Sequence, residues 1–429
     1  MSPSEAPIGR HLLPLTAKKT AAGDLSIGGL SLLELADRFG TPLFVYDEAH
    51  LRSCCRQALA AFGPGIAYGT KAFLCKAMAA LAHEEQMMLD VASGGELAVA
   101  LAAGVPGERL VMHGNNKSEE ELAAACEAGV GRLVVDSFDE IGRLASLLSG
   151  RAPTALQVLV RVTPGVEAHT HEYVMTGQGD SKFGFSLSAG AAEAAVSALG
   201  SIAGVEVVGV HAHIGSQIFR TDAYAREVAA LAPFVARHGL RELCVGGGLG
   251  VAYLNDEEAP SVAEWASVVR AACLAAGLPP SVKVTAEPGR AIVATAALTL
   301  YRVGTMKRLS GLRTYVAVDG GMSDNPRPVL YGSGYEAFLP RSPEAARPLP
   351  ARVVGKHCES GDVLVEDARL PGDLVVGDIL ATPVTGAYGY SMASSYNRIG
   401  RPAVVFVADG QARLVIRRET SEDLLALEA

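Results

Sequence analysis

What this chain lacks already narrows its function. It has no basic excess: 46 acidic residues outnumber 37 lysines and arginines, giving a formal net charge of −9 and an isoelectric point near 5.6. That removes the positive footprint a nucleic acid or an anionic membrane surface requires. The seven cysteines (Cys54, Cys55, Cys75, Cys126, Cys244, Cys273 and Cys358) are odd in number, scattered, and form no CxxC. Neither a disulfide framework nor a structural zinc site is expected, and the pattern reads as a reducing cytosol. No apolar run approaches the roughly 18 residues of a membrane span. The opening MSPSEAPIGRHLLPLTAKK lacks the uninterrupted apolar stretch of a secretory signal. Glycine is plentiful, at 47 residues, but follows no Gly-X-Y period, so collagen is excluded. With 49% hydrophobic and 19% charged residues the chain can bury a sizeable core. A cytoplasmic, acidic protein with neither nucleic acid nor membrane as partner is expected.

The middle of the sequence has a rhythm of short apolar runs that end in a polar or glycine cluster, each followed by an Ala- and Leu-rich helical pattern. The runs are Gly65–Lys71, Met87–Ser93, Arg109–Gly114, Arg132–Ser137, Ala155–Thr163, Val205–Gly215, Glu242–Gly248 and Lys283–Arg290. Continuous apolarity, rather than alternation, is what parallel strands covered by helices need. Ser118–Gly129 has a serine and acidic first turn and a terminal glycine, the marks of a capped helix. Eight strand–helix units fit a (β/α)8 TIM-type barrel, which takes about 250 residues. The alternative is an open doubly wound sheet. The barrel is preferred because a polar cluster stands at the C-terminal end of every run.

After about Thr299 the runs become strand-like and are punctuated by Pro and Gly. The expected organisation is an N-terminal segment over residues 1–42 that belongs clearly to neither domain and packs on the β domain. A barrel follows over residues 43–299, then a β-rich C-terminal domain over residues 300–429. One helical pattern, Ser31–Phe39, falls in the first segment.

A barrel builds its site at the C-terminal mouth. The residues there are Lys71, Asp90 with Ser93, His113 with Asn115, Asp136, Arg161, His211 with His213 and Ser216, Gly246–Gly248, and Glu287 with Arg290. Lys71 is either a solvated lysine or an amine able to form a Schiff base with a carbonyl cofactor. His211 and His213 are either packed histidines or a metal dyad, with Asp136 and His113 as further ligands for a metallohydrolase. Gly246, Gly247 and Gly248 make either a tight turn or, with Gly289 and Arg290, an anion site of the kind barrels place after strands seven and eight. Glu287, between Ala286 and Pro288, needs a partner: a salt bridge, or the ring nitrogen of pyridoxal phosphate, whose proton it would hold. Cys358 stands apart from the core-like cysteines, in the polar turn GKHCESGD, and is a candidate reactive thiol.

Taken in order, AYGTKA, DVASGGEL, HIGSQ, GGGLG, EPGR, DGGMSDNPRPVLYG, HCESGD and TGAYGYSMASSYN resemble the fold-type III pyridoxal-phosphate decarboxylases, from about Pro42 to about Arg401. The resemblance implies an alanine-racemase-like barrel with a β domain, pyridoxal 5'-phosphate as cofactor, no metal, and a head-to-tail homodimer with shared sites. By the same resemblance Lys71 carries the cofactor, and Asp90 and Ser93 lie near it. His213 stacks on the cofactor ring. Ser216 and Gly246–Gly248 hold the phosphate, Glu287 takes the ring nitrogen, and Pro288, Gly289 and Arg290 line the cofactor. Arg290, Arg327 and Tyr331 contact an amino-acid substrate. Cys358 is the proton donor, Glu359 reads the far end of the substrate, and Tyr388 touches cofactor and substrate, all three from the neighbouring subunit. Phe73 departs from the asparagine of many relatives. Glu359 and the loop His171–Phe185 point to a substrate whose far end carries both an ammonium and a carboxylate. Competing readings are a decarboxylase of ornithine, arginine or a carboxylated polyamine, a non-catalytic cofactor carrier, and the metallohydrolase.

Overall fold

In the computed structural model, which describes residues 6–149, 155–166 and 181–429, all eight apolar runs are parallel strands. They are Ala67–Gly69, Met88–Val91, Leu110–Met112, Arg132–Val135, Leu156–Thr163, Val205–His211, Glu242–Cys244 and Lys283–Thr285, each paired with the next in chain order. Backbone bonds from Ala67 N–H to the Ala286 carbonyl (3.0 Å) and from Gly69 N–H to the Pro288 carbonyl (3.1 Å) return the eighth strand's end to the first. The sheet is therefore the expected barrel. A buried cluster takes one residue from each of the first seven strands: Ala67, Met88, Val111, Val134, Leu159, Val208 and Cys244. Strands buried this way on both faces have no room for polar alternation, which is why the runs read as continuously apolar.

A repeated local code turns strand into helix. Ser93, Ser118, Ser137 and Ser261 cap the helices Gly94–Ala102, Glu119–Ala128, Phe138–Leu148 and Val262–Ala275, each accepting from the backbone N–H of a glutamate three residues on. Each such cap contributes about 1 kcal/mol and fixes where the loop ends.

The chain divides into two units: Cys55–Gly250 with Pro260–Ala291, which holds the barrel, and Met1–Cys54 with Val251–Ala259 and Ile292–Ala429. The second unit is built on a mixed sheet. Its path runs Val363–Leu370, Leu349–Val354, Arg313–Val318, Ala297–Leu309, Leu43–Asp47, Ala403–Ala408 and Gln411–Ile416, with Ile379–Pro383 also on Ala297–Leu309. Arg313–Val318 alternates half-buried and buried along its length, as a strand with one face on the core should. Leu43–Asp47, which falls within the stretch 43–299 assigned to the barrel, instead lies inside this sheet, antiparallel to Ala297–Leu309 and parallel to Ala403–Ala408. All five of its residues are buried, so by apolarity alone it resembles a barrel strand. The N-terminal segment joins the same unit through Leu25 N–H to the Pro340 carbonyl (2.8 Å) and Gly410 N–H to the Gly28 carbonyl (2.7 Å). Its helix is Leu32–Phe39, capped by Ser31.

One buried ion pair supports the barrel unit. Lys117 Nζ sits 2.8 Å from Glu140 Oε1, both side chains 1% exposed, and also donates to the Gly114 and Val134 carbonyls. Glu140→Gln leaves that ammonium buried without its counter-charge and is expected to cost about 3–5 kcal/mol in chemical denaturation. Adding Lys117→Met should recover much of the loss. No recovery would mean that the pair's geometry, not its charge balance, carries the stability.

Candidate active site

The barrel mouth gathers its charged groups around one carboxylate. Glu287 follows the eighth strand, His211 ends the sixth, and His113 follows the third. His113 Nε2 lies 3.0 Å from Glu287 Oε1 and His211 Nε2 lies 2.9 Å from Glu287 Oε2, with all three side chains buried. The imidazoles meet edge to face, centroids 4.8 Å apart. Asp90, in the second strand, stands 3.6 Å from His113 Nε2.

Burial opposes the charge on Glu287, but the imidazoles of His113 and His211 reverse that effect and hold its carboxyl well below the usual range. Burial also pushes His211 down to about 4, so at neutral pH it is uncharged. Its Nδ1 has no hydrogen-bond partner among the described residues, and only a proton on Nε2 lets it face a carboxylate oxygen. Burial acts downward on His113 as well, but Asp90 and Glu287 raise it overall. Asp90 is pushed up to about 7 by burial, with His113 opposing and Glu287 adding.

Lys71 sits in the turn Thr70–Ala72 directly after the first strand, exposed between two buried neighbours. Thr70 Oγ1 donates to the Asp90 carbonyl (2.7 Å), fixing that turn to the second strand. The Lys71 charge is felt at both Asp90 and His213, so the structure brings these three expected residues together.

The glycine run follows the seventh strand. A Cβ on Gly246 would stand 2.4 Å from the Ala212 carbonyl oxygen, and one on Gly247 would stand 2.3 Å from that of Glu287. No side chain fits at either position. Gly247 N–H donates to His213 Nδ1 (3.2 Å), while its carbonyl accepts from the Tyr224 hydroxyl (3.0 Å). Desolvation holds His213 well below its ordinary value, so it is neutral with its proton on Nε2. Beside the run, Arg290 donates to Ser216 Oγ (2.9 Å). Pro288 and Gly289 lie against Gly69, where the barrel closes.

Other strand-end residues serve the scaffold. Ser93 is a helix cap. Asp136 accepts from Gly184 N–H (2.8 Å) and lies 3.4 Å from Arg161. Phe73 is fully buried, its carbonyl accepting from the Tyr68 hydroxyl (2.6 Å). The metal dyad of His211 and His213 is not assembled. The strand ends at His211, so its alternation of faces does not extend to His213, which turns to Gly247. Among the described residues, His113, His211 and Glu287 bring donor atoms within 4.8 Å of one another, but the two Nε2 atoms are already spent on the carboxylate.

The second unit carries the remaining candidates. Arg327 is buried, donates to the Tyr335 hydroxyl (2.6 Å), and lies 4.3 Å from the centre of the Tyr253 ring. Its Nε has no hydrogen-bond partner among the described residues. Tyr331, expected beside it, closes the same short helix, Arg327–Tyr331. Tyr253 and Tyr335 were not anticipated; Tyr335 falls just past the DGGMSDNPRPVLYG motif. Cys358 is the one exposed cysteine of the seven. Its N–H donates to Asn397 Oδ1 (3.1 Å), and Glu359 Oε2 accepts from the Tyr396 hydroxyl (3.5 Å). Tyr388 is held at φ 58°, a backbone conformation that costs a non-glycine residue on the order of 1 kcal/mol or more and clusters at functional sites. Of the loop His171–Phe185, residues 171–180 lie outside the described residues.

Comparison with known proteins agrees with this geometry. The profile "Pyridoxal-dependent decarboxylase, pyridoxal binding domain" matches residues 48–294. Diaminopimelate decarboxylase of Mycobacterium bovis is 48% identical over 97% of this chain and 98% of its own length. That of Bacillus subtilis is 45% identical, over 96% and 97%. A crystal structure of diaminopimelate decarboxylase from M. jannaschii in complex with L-lysine superposes with a TM-score of 0.89 at 31% identity, covering 97% of this chain and 98% of that one.

Asp90 yields a pH test. Its folded pKa of about 7 lies above its value in the unfolded chain, near 3.8. The stability it contributes is therefore full below about pH 4 and is lost as pH rises through its folded value. Asp90→Asn has no such loss. The unfolding free energy of the variant relative to the parent should climb across that window and level off above it. A flat difference would show that Asp90 is ionised in the folded chain.

Proposed function

The chain belongs to the pyridoxal-dependent decarboxylases, and on that premise we propose that it converts meso-2,6-diaminopimelate to L-lysine and CO2, using pyridoxal 5'-phosphate. The observation that carries this reading is the buried Glu287, an imidazole nitrogen 3.0 and 2.9 Å from its two oxygens, in the same barrel mouth as Lys71 and the glycine run. These residues fit the cofactor. A desolvated carboxylate calls for a proton donor or a cation, which a protonated ring nitrogen provides. Backbone glycines with Ser216 and Arg290 beside them suit a phosphate, and the Lys71 amine suits a carbonyl carbon. Bound there, the cofactor supplies an electron sink for the bond broken at Cα.

The chain's own groups do the rest. Lys71 Nζ would hold the cofactor through its carbonyl carbon. Glu287 keeps the proton on the ring nitrogen by its charge. His213, neutral and fixed by Gly247, offers a flat face for the ring. Arg327 and Tyr331 take a substrate carboxylate and its hydrogen bonds. Cys358 delivers a proton to Cα after CO2 has left, Glu359 pairs with the distal ammonium, and Tyr388 closes over cofactor and substrate. The exposure of Cys358 and Glu359 suits groups that serve a neighbouring subunit, in a head-to-tail homodimer of the cytoplasm. A site that pairs both distal charges rejects lysine and ornithine, because its own charges would be left unmatched.

The test is CO2 release from meso-diaminopimelate set against the LL and DD isomers, lysine and ornithine, together with a visible band that borohydride removes. Preference for ornithine, or a colourless protein holding zinc, would overturn the assignment. Lys71→Ala should abolish turnover, and Cys358→Ala should lower it roughly 10²–10⁴-fold, the usual contribution of a positioned general acid. An unchanged rate in Cys358→Ala would remove the thiol from the mechanism. Mixing the two variants should restore activity if the subunits share sites.

A further inference from the structure

We propose that His113 and His211 are positioning residues, which act through Glu287 by donating one Nε2–H to each of its carboxylate oxygens. The inference rests on the proposed role of Glu287 at the cofactor's ring nitrogen and adds two residues to it. The geometry is specific. The two donors meet the two oxygens at 3.0 and 2.9 Å, so rotation about the last side-chain bond of Glu287 would break both contacts at once. The imidazoles brace each other edge to face, and each comes from a different strand end. Neither histidine has the open Nε2 that direct work on a substrate would require.

The arrangement also explains how a carboxylate can be ready before any cofactor arrives. A carboxylate facing only apolar walls would take up a proton and could no longer hold one on a ring nitrogen. With a donor on each oxygen it stays ionised. Each oxygen also keeps a lone pair free for the ring nitrogen. His211 is the fixed member, uncharged and with its proton confined to Nε2. His113 is the adjustable one, because it answers to Asp90 as well.

The test uses the full chain stripped of cofactor and titrated with pyridoxal phosphate, with the dissociation constant read from visible absorbance. Glutamine can place an N–H close to the position of histidine Nε2, whereas the shorter asparagine cannot. His211→Asn and His113→Asn should each weaken cofactor binding roughly ten- to a hundredfold, the usual worth of a hydrogen bond to a charged group. The His→Gln variants should recover most of that affinity. In a Glu287→Gln background the same Asn changes should add little, because residues that act through one group are non-additive. Full additivity in that background, or Gln variants as weak as Asn variants, would overturn the proposal and leave the histidines as packing. A wild-type chain that binds no pyridoxal phosphate would overturn the proposed function itself, and this inference with it.

Discussion

The barrel unit is organised around a charge that should not be where it is. An isolated carboxylate moved out of water costs several kcal/mol even after relaxation, and Glu287 is buried at the end of the eighth strand. The imidazoles of residues 113 and 211 beside it favour its ionised form, and nothing local brings them there. They come from the ends of the third and sixth strands, on other parts of the barrel wall. Closure of the sheet, through Ala67 and Gly69 onto the backbone after the eighth strand, places the three ends around one mouth. The barrel is thus the condition for the chemistry, not merely its support.

From that carboxylate the rest of the mouth follows. Glu287 N–H donates to the Gly246 carbonyl (2.6 Å), so the residue that carries the charge also shapes the glycine run. The run in turn fixes His213 through Gly247. Glycine is required there by crowding: carbonyl oxygens of neighbouring strand ends occupy the space a Cβ would need. The acidic net charge of the whole chain is no guide to this region. Lys71 and Arg290 give the barrel mouth positive groups of its own, and the second unit buries Arg327 between two tyrosine rings.

Much of this was legible in the sequence because it is periodic or local. Continuous apolar runs gave the eight strands, the serine and acidic first turn of Ser118–Gly129 gave one helix start, and the polar residue at each strand end gave Lys71, Asp90, His213 and Glu287. What escaped is what only long-range pairing decides. Leu43–Asp47 is as apolar as a barrel strand, and its place in the second sheet depends on partners more than two hundred residues away in sequence. The bond of His113 to Glu287 spans 174 positions, so His113 read as a possible metal ligand rather than as a carboxylate's partner. Tyr253 and Tyr335 flank Arg327 from segments that carry no motif of their own.

The charge state of Glu287 is the claim on which the account turns, and it can be observed directly. Isotope-edited infrared difference spectra of the cofactor-free protein against Glu287→Gln would isolate this one side chain at neutral pH. The account predicts that the difference contains the paired stretches of an ionised carboxylate and no carboxylic acid carbonyl band. A protonated carbonyl band assigned to Glu287 would contradict it, because a neutral acid there could neither keep both histidine donors nor hold a proton on a ring nitrogen.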